Sequence, residues 1–348
     1  MTDLVTGGGG FIGRHLVRLL HERGRAVRVL DLDPGDDYPP GVEVIRGSVT
    51  DAKIVSEALA GVENLYHLAG NPSLWAPSGA DFEINNHRAT RTLLDETARR
   101  NLNRIVFTST ESILSACRES RRKGYVDESA EGVIGDMPGP YCRSKFLAEQ
   151  AAREAARDGQ PVVIVNPTLP VGPGDRRLTP PTRMILGFLN GRYAAYLECH
   201  LNLIDVRDVA TGHILAAERG RIGERYILGN ENLRLSALLA LIEEITGARM
   251  PRLKVPYPLA LAIAAADEVL ANTVPGRLPA APLTGVRLAK HPVQFKSSKA
   301  VRELGLPLRP IKDSLRSTIT WLMAQGLVQR QLPKFSTGEA PALDQAAR

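Results

Sequence analysis

Aromatic side chains are scarce in this chain, at 5% of 348 residues, and only three cysteines occur. Few aromatics leave little material for the platforms on which nucleic-acid bases stack. Cys117, Cys142 and Cys199 are odd in number, far apart and without metal-ligand spacing. They predict neither a disulfide framework nor a metal site, and they fit a reducing, cytoplasmic setting. No basic leader precedes an apolar stretch at the N-terminus, which argues against an export signal. Long apolar runs are also missing, so no membrane-spanning segment is expected. The most apolar late stretch, Leu259–Ala266, is short and runs into Asp267 and Glu268, which predicts a buried helix, with contact at a membrane surface as the alternative. An excess of 44 basic over 38 acidic residues is spread along the chain rather than gathered, so nucleic acid is not an expected partner.

What the sequence does contain is an alternation of short apolar runs with longer stretches of helical period, the pattern of a parallel sheet covered by helices. Strands are expected at Leu4–Val5, Ala26–Leu30, Glu43–Arg46, Asn64–Leu68, Arg104–Thr108 and Pro161–Asn166. Helices are expected at Ile12–Arg23, Lys53–Ala60, Phe82–Arg100 and Tyr141–Arg157, each long enough for a right-handed crossover. The fold class is therefore α/β, a Rossmann-type doubly wound sheet. After Asn166 the texture changes, with Pro167, Pro170, Pro173, Pro180 and Pro181 interrupting the chain. Residues 1–168 and 201–228 are assigned to the dinucleotide-binding domain, and 169–200 and 229–330 to an interleaved substrate lobe. Residues 331–348, with Pro333, Gly338 and Pro341, read as a disordered tail.

The turn Thr6-Gly7-Gly8-Gly9-Gly10-Phe11-Ile12-Gly13 joins the first strand to the first helix. Gly7 permits the tight turn, Gly10 lets backbone amides approach a pyrophosphate, and Gly13 lets the helix pack closely on the sheet. Phe11 and Ile12 open the helix whose N-terminus would carry the phosphates. The second strand runs into Asp31, where a carboxylate takes the adenosine ribose hydroxyls. Asp31, backed by Asp33, repels a 2′-phosphate, and no arginine follows it in sequence. NAD is therefore the expected cofactor, ahead of NADP. Arg28 is expected to be paired or solvated.

The fifth strand ends in Thr108-Ser109-Thr110, and further on Tyr141-Cys142-Arg143-Ser144-Lys145 opens a helix. The i, i+4 spacing places Tyr141 and Lys145 on one helix face. A phenol is a poor base at neutral pH, and an adjacent ammonium favours its phenolate. Tyr141 can then exchange a proton with a substrate hydroxyl while a hydroxyl from the strand end holds the substrate oxygen.

Through TGGGGFIG (Thr6–Gly13), HLAG (His67–Gly70), FTST (Phe107–Thr110), YCRSK (Tyr141–Lys145) and NPT (Asn166–Thr168), residues 1–327 resemble the extended short-chain dehydrogenase/reductase superfamily. More narrowly, LWAP (Leu74–Pro77), VNPTLPVGPGD (Val165–Asp175), NLIDVRDVATGH (Asn202–His213) and GERYILGNENL (Gly223–Leu233) are similar to the hopanoid-associated sugar epimerases and dihydroflavonol reductase-like proteins. The resemblance implies a catalytic triad of Thr110, Tyr141 and Lys145, with Ser109 as the alternative hydroxyl. It implies that Lys145 also bonds the nicotinamide ribose, that Ala69 and Gly70 run beside the cofactor, and that Asn166, Pro167 and Thr168 flank the nicotinamide. Asn85 would support the sheet near the site, and Phe82–Arg100 with Tyr141–Arg157 would form a homodimer interface.

Two positions depart from that pattern. Ser48 stands where relatives often carry an acidic residue beside the adenine, and the stretch His200–Val206 lacks the diphosphate-binding arginine that nucleotide-sugar epimerases carry shortly before an aromatic-isoleucine-histidine-valine run. The expected activity is an NAD-dependent dehydrogenase or reductase acting on a small secondary alcohol or ketone, an isoprenoid or polycyclic molecule included. A sugar epimerase with retained cofactor is the alternative, and a non-catalytic dinucleotide-binding scaffold a lesser one. Glu111 is a candidate additional acid or base, although a peripheral hydrogen bond is the simpler role. Trp75 reads as a cover for the nicotinamide or as packing. His67 and His213 read as structural, and Arg118, Arg121, Arg122 and Lys123 as a solvated charge run.

Overall fold

The computed structural model describes residues 2–335. Seven strands form one sheet: β1 (Thr2–Thr6), β2 (Ala26–Asp31), β3 (Glu43–Arg46), β4 (Val62–His67), β5 (Arg104–Thr108), β6 (Val162–Pro167) and β7 (Arg225–Leu228). Every pairing is parallel, in the order β3-β2-β1-β4-β5-β6-β7. This is the expected Rossmann-type sheet, and its strand order reverses between β1 and β4. The carboxyl ends of strands on either side of such a reversal open into a crevice where ligands bind.

Side chains alternate between the two covered faces. Val163 and Val165 pack with Leu16, Val17, Val209 and Ile214 from the helices Phe11–Glu22 and Val206–Arg219. Val162 and Ile164 pack on the other face with Val55, Leu93, Ala148 and Ala152 from Ala52–Ala58, Ala89–Thr97 and Pro140–Arg157. Full burial of each such side chain contributes about 1.5–3 kcal/mol.

The helix expected at Phe82–Arg100 is interrupted. Ala80–Phe82 and Ala89–Thr97 are α-helical, but Glu83–Arg88 forms a π-helical segment whose extra residue per turn shifts the phase. Residues 201–228, expected in the dinucleotide-binding domain, do not all join the large sheet. His200–Asp205 joins Leu169–Val171 and Glu231–Arg234 in a separate three-stranded sheet, while Val206–Arg219 and β7 return to the large one. The helices Pro180–Leu189, Leu235–Thr246 and Ile311–Ala324 enclose a second core on that small sheet, containing Ile185, Leu238, Ile242, Leu315 and Ile319.

Two expectations fail in the lobe. Leu259–Ala266 lies in the helix Tyr257–Thr273, of which only Ala264 and Ala271 are buried. Residues 331–335 do not start a disordered tail: Leu332 is buried in the lobe core, and the Lys334 N–H donates to Thr246 O at 3.0 Å. The remainder of that expected tail lies outside the described residues. No described helix is long and apolar enough to cross a membrane.

Candidate active site

The glycine turn sits at the switch point. Gly7 has φ +73°, and a Cβ there would lie 2.6 Å from Ala69 N; a Cβ on Gly13 would lie 2.2 Å from Gly7 O. Both positions therefore require glycine. Gly10 caps the Phe11–Glu22 helix without any side-chain bond, so the amides of the first turn have no side-chain acceptor at the cap, an arrangement that suits an anion. Phe11 is buried against His15, and Ile12 is half-buried. Thr6 Oγ1 and His67 Nδ1 lie 2.7 Å apart across the β1–β4 switch point, and His67 Nε2 reaches Thr90 Oγ1 at 3.1 Å. His213 bonds Thr108 Oγ1 and Val209 O. Burial pushes His67 down to about 3 and His213 down to about 4, so both act as neutral fasteners.

Asp31 ends β2 with Oδ2 accepting from Gly9 N–H and Oδ1 from Asp33 N–H, both at 2.9 Å. It is not free of arginine. Arg177, far along the chain, lies 3.4 Å from Asp31 and donates to Asp33 O at 2.8 Å, while Arg14 and Arg176 both pair with Asp37. Sequence distance concealed this cluster. Arg28 pairs with Glu43, and Ser48 bonds Thr50 rather than presenting a carboxylate.

At the neighbouring strand ends the catalytic candidates converge. Thr110 follows β5, its Oγ1 bonded to Ser112 Oγ and Ser112 N–H at 3.2 Å. Burial pushes the Tyr141 phenol up, and the nearby Thr110 hydroxyl opposes that push. Lys145 acts differently from expectation. Its Nζ donates to Thr108 O at 2.8 Å and lies 5.1 Å from the Phe107 ring centre. Burial pushes the ammonium down to about 8, opposed by Glu149, and Lys145 is not among the groups that shift Tyr141. The protein alone therefore holds Tyr141 as the neutral phenol at pH 7.

Asn166 Nδ2 donates to Thr110 O at 3.1 Å and to Glu149 Oε2 at 2.8 Å. Two buried polar atoms beside this point, Ser109 Oγ and Asn166 Oδ1, have no protein partner. Together with the Cβ-free turn, they fit a nicotinamide dinucleotide laid from Gly10 to Thr110. Ala69 N–H reaches Thr6 Oγ1 at 3.4 Å, and a Cβ on Gly70 would meet Asn86 Oδ1 at 2.8 Å. Pro167 O accepts from Glu111 N–H, and Thr168 Oγ1 donates to Leu228 O.

Three further residues had been given no role. Asn86, not Asn85, supports the site: it is buried, accepts from Asn71 N–H at 2.7 Å and donates to Ser144 Oγ at 3.0 Å, whereas Asn85 only bonds Asp81 O. The π-helical phase shift explains the exchange. Glu149 and Arg225 form a buried pair at 2.9 Å, and Arg225 also bonds Glu128 O and Ala130 O. The signal for Glu149 is its spacing, since it continues the Tyr141–Lys145 stripe by one more helical step. Glu111 bonds Ser112 and Ser115, and burial pushes it up to about 7. Trp75 is half-buried. Arg118 and Arg121 bond Asp136, and Lys123 pairs with Glu119, as a solvated run does. Among the described residues no cluster of side chains could hold a metal ion.

Residues 4–229 match the NAD dependent epimerase/dehydratase family. A Synechocystis sp. protein provisionally named dihydroflavonol 4-reductase is 38% identical, covering 94% of this chain and 96% of that one. Sterol demethylase protein B of Methylococcus capsulatus is 32% identical, covering 94% of this chain and all of that one (100%). The crystal structure of gox2253 superposes with a TM-score of 0.81 at 34% identity, covering 94% of this chain and 99% of that one. The glycine turn, the Thr110–Tyr141–Lys145 cluster and these likenesses agree: the chain belongs to the NAD-dependent epimerase/dehydratase family of extended short-chain dehydrogenases.

Proposed function

We propose that this enzyme transfers hydride between NAD and a secondary alcohol or its ketone, with an apolar isoprenoid or polycyclic molecule as substrate class. The observation that carries the proposal is that the helix bearing buried Tyr141 brings Lys145 onto Thr108 O, at the end of β5 that Thr110 follows, beside the switch point. When bound, NAD supplies the hydride acceptor or donor. Gly7, Gly10, Phe11, Ile12 and Gly13 hold its phosphates, Asp31 its adenosine ribose, and Ala69 and Gly70 its central stretch. Asn166, Pro167 and Thr168 border the nicotinamide. Lys145, whose ammonium donates to Thr108 O, would bond the ribose hydroxyls of the nicotinamide half.

Thr110 holds the substrate oxygen. Tyr141, protonated at neutral pH, donates to the alkoxide that develops during reduction and takes the proton back during oxidation. The sterol named in one relative supports an apolar substrate. We assign residues 169–205 and 229–330 to the substrate lobe, because the strand His200–Asp205 pairs in the small sheet, and 1–168 with 206–228 to the cofactor domain. The free cysteines support a cytoplasmic setting. Arg91 and Glu154, which pair between Ala89–Thr97 and Pro140–Arg157, lie on the faces assigned to a homodimer contact.

The second reading, a sugar epimerase, has one observation in its favour. Exposed Arg234 pairs across the small sheet with His200, which opens the stretch that lacks the diphosphate arginine. A screen of sterol-like alcohols and nucleotide sugars with added NAD separates the readings. Net growth of reduced-nicotinamide absorbance with an alcohol supports the dehydrogenase. Turnover of a nucleotide sugar on retained cofactor, with no net absorbance change, overturns it.

A further inference from the structure

The helix Tyr257–Thr273 turns the usual amphipathic arrangement inside out. Leu259, Ile263 and Leu270 are 53%, 51% and 42% exposed and recur at i, i+4 and i+11, with exposed Ala262 and Ala266 completing the stripe. Val269, 64% exposed, widens it. At 1.5 Å per residue the stripe is roughly 16 Å long. Its acidic residues face away: Asp267 accepts from Ala280 N–H and Arg277, and Glu268 accepts from Leu283 N–H at 2.7 Å. The outward face is thus apolar and uncharged.

Cations border it. Arg252 and Lys254 precede the helix with 76% and 56% exposed side chains, and Arg277 follows it. Arg252, Lys254 and Arg277 pair with surface carboxylates, contacts worth at most about 1 kcal/mol and open to exchange.

We propose that this stripe is the face by which the protein lies on a lipid bilayer bearing anionic headgroups. An apolar strip rimmed by cations is the composition that binds an interface in its plane. A second copy of the chain fits it less well, because a two-fold contact centred on the stripe would bring the same basic rims together. The location is consistent with substrate delivery. Glu268 holds Leu283, the next residue Thr284 packs on Gly139, and Gly139 precedes the helix that carries Tyr141. The docking face is therefore connected through a short chain of contacts to the covering of the catalytic residue. Docking itself does not depend on which alcohol the enzyme uses.

The test is cosedimentation of the full chain with vesicles of phosphatidylcholine, with and without phosphatidylglycerol. The protein should bind the mixed vesicles, lose binding as salt rises, and bind pure phosphatidylcholine less. The double substitution Leu259→Glu with Ile263→Glu should lower binding at least on the order of tenfold, while NAD affinity by calorimetry stays unchanged. Arg252→Gln with Lys254→Gln should weaken binding to the mixed vesicles alone. Absence of cosedimentation, or equal binding by the Leu259/Ile263 variant, would overturn the proposal. So would light scattering that shows this variant dissociating a dimer while the unmodified protein ignores vesicles.

Discussion

β6 and the helix Tyr257–Thr273 are both apolar in sequence, yet they meet opposite surroundings. Every residue of β6 is buried, with helices on both faces of the sheet, whereas the helix buries only Ala264 and Ala271. Apolar composition states that a segment prefers a partner other than water and leaves open which partner that is. For β6 the period-2 alternation answers the question, because both phases are apolar and both faces must be covered. For the helix the answer lies in where its charged residues turn, and that depends on the loop at residues 277–283.

The buried ion pair behind β6 gives the largest expected effect. Glu149→Ala removes the buried carboxylate from Arg225, leaving it the exposed Glu131, and should cost about 3 kcal/mol of stability in denaturant unfolding. A loss below about 1 kcal/mol would mean that water reaches the pair. Next, the two apolar segments can be compared directly: Ile164→Ala should cost about 2–5 kcal/mol, and Ile263→Ala no more than about 0.5 kcal/mol. Equal costs would break the contrast, since they would require the helix to be covered in solution.

The pH dependence of unfolding probes the same sheet ends. His213 is held down to about 4, so between that value and its unfolded value the unfolded chain binds more protons, and stability falls as pH falls. This one group accounts for roughly 3 kcal/mol at most, and His213→Gln should flatten that part of the acid limb. Glu111, pushed up to about 7, acts with the opposite sign, its contribution declining as pH rises from the ordinary carboxylate value toward 7. The smallest effect is expected at exposed Arg177. Arg177→Ala should lower affinity for NADP severalfold more than affinity for NAD, because its guanidinium partly offsets the Asp31 charge that a 2′-phosphate would meet. An unchanged ratio would place Arg177 outside the cofactor site.

Sheet order, glycine turn, Asp31 and the Thr110–Tyr141–Lys145 cluster were legible because each is written in short spacings: strand to turn to helix, or one helical step. What escaped depends on contacts between distant segments or on broken periodicity. Arg177 reaches Asp31 from another part of the chain, and Arg225 meets Glu149 across β6 and β7. The choice between Asn85 and Asn86 rests on a π-helical segment that a regular helical period cannot express. The direction of the Lys145 ammonium, which turns to Thr108 O, was not legible either, since i, i+4 spacing fixes only a shared helix face.

The central claim is that Tyr141 exchanges the proton. Its most direct test is single-turnover hydride transfer by Tyr141→Phe with the alcohol that the screen identifies. With NAD affinity retained, transfer should slow by about 10²–10⁴-fold. Transfer at the unmodified rate would contradict the account.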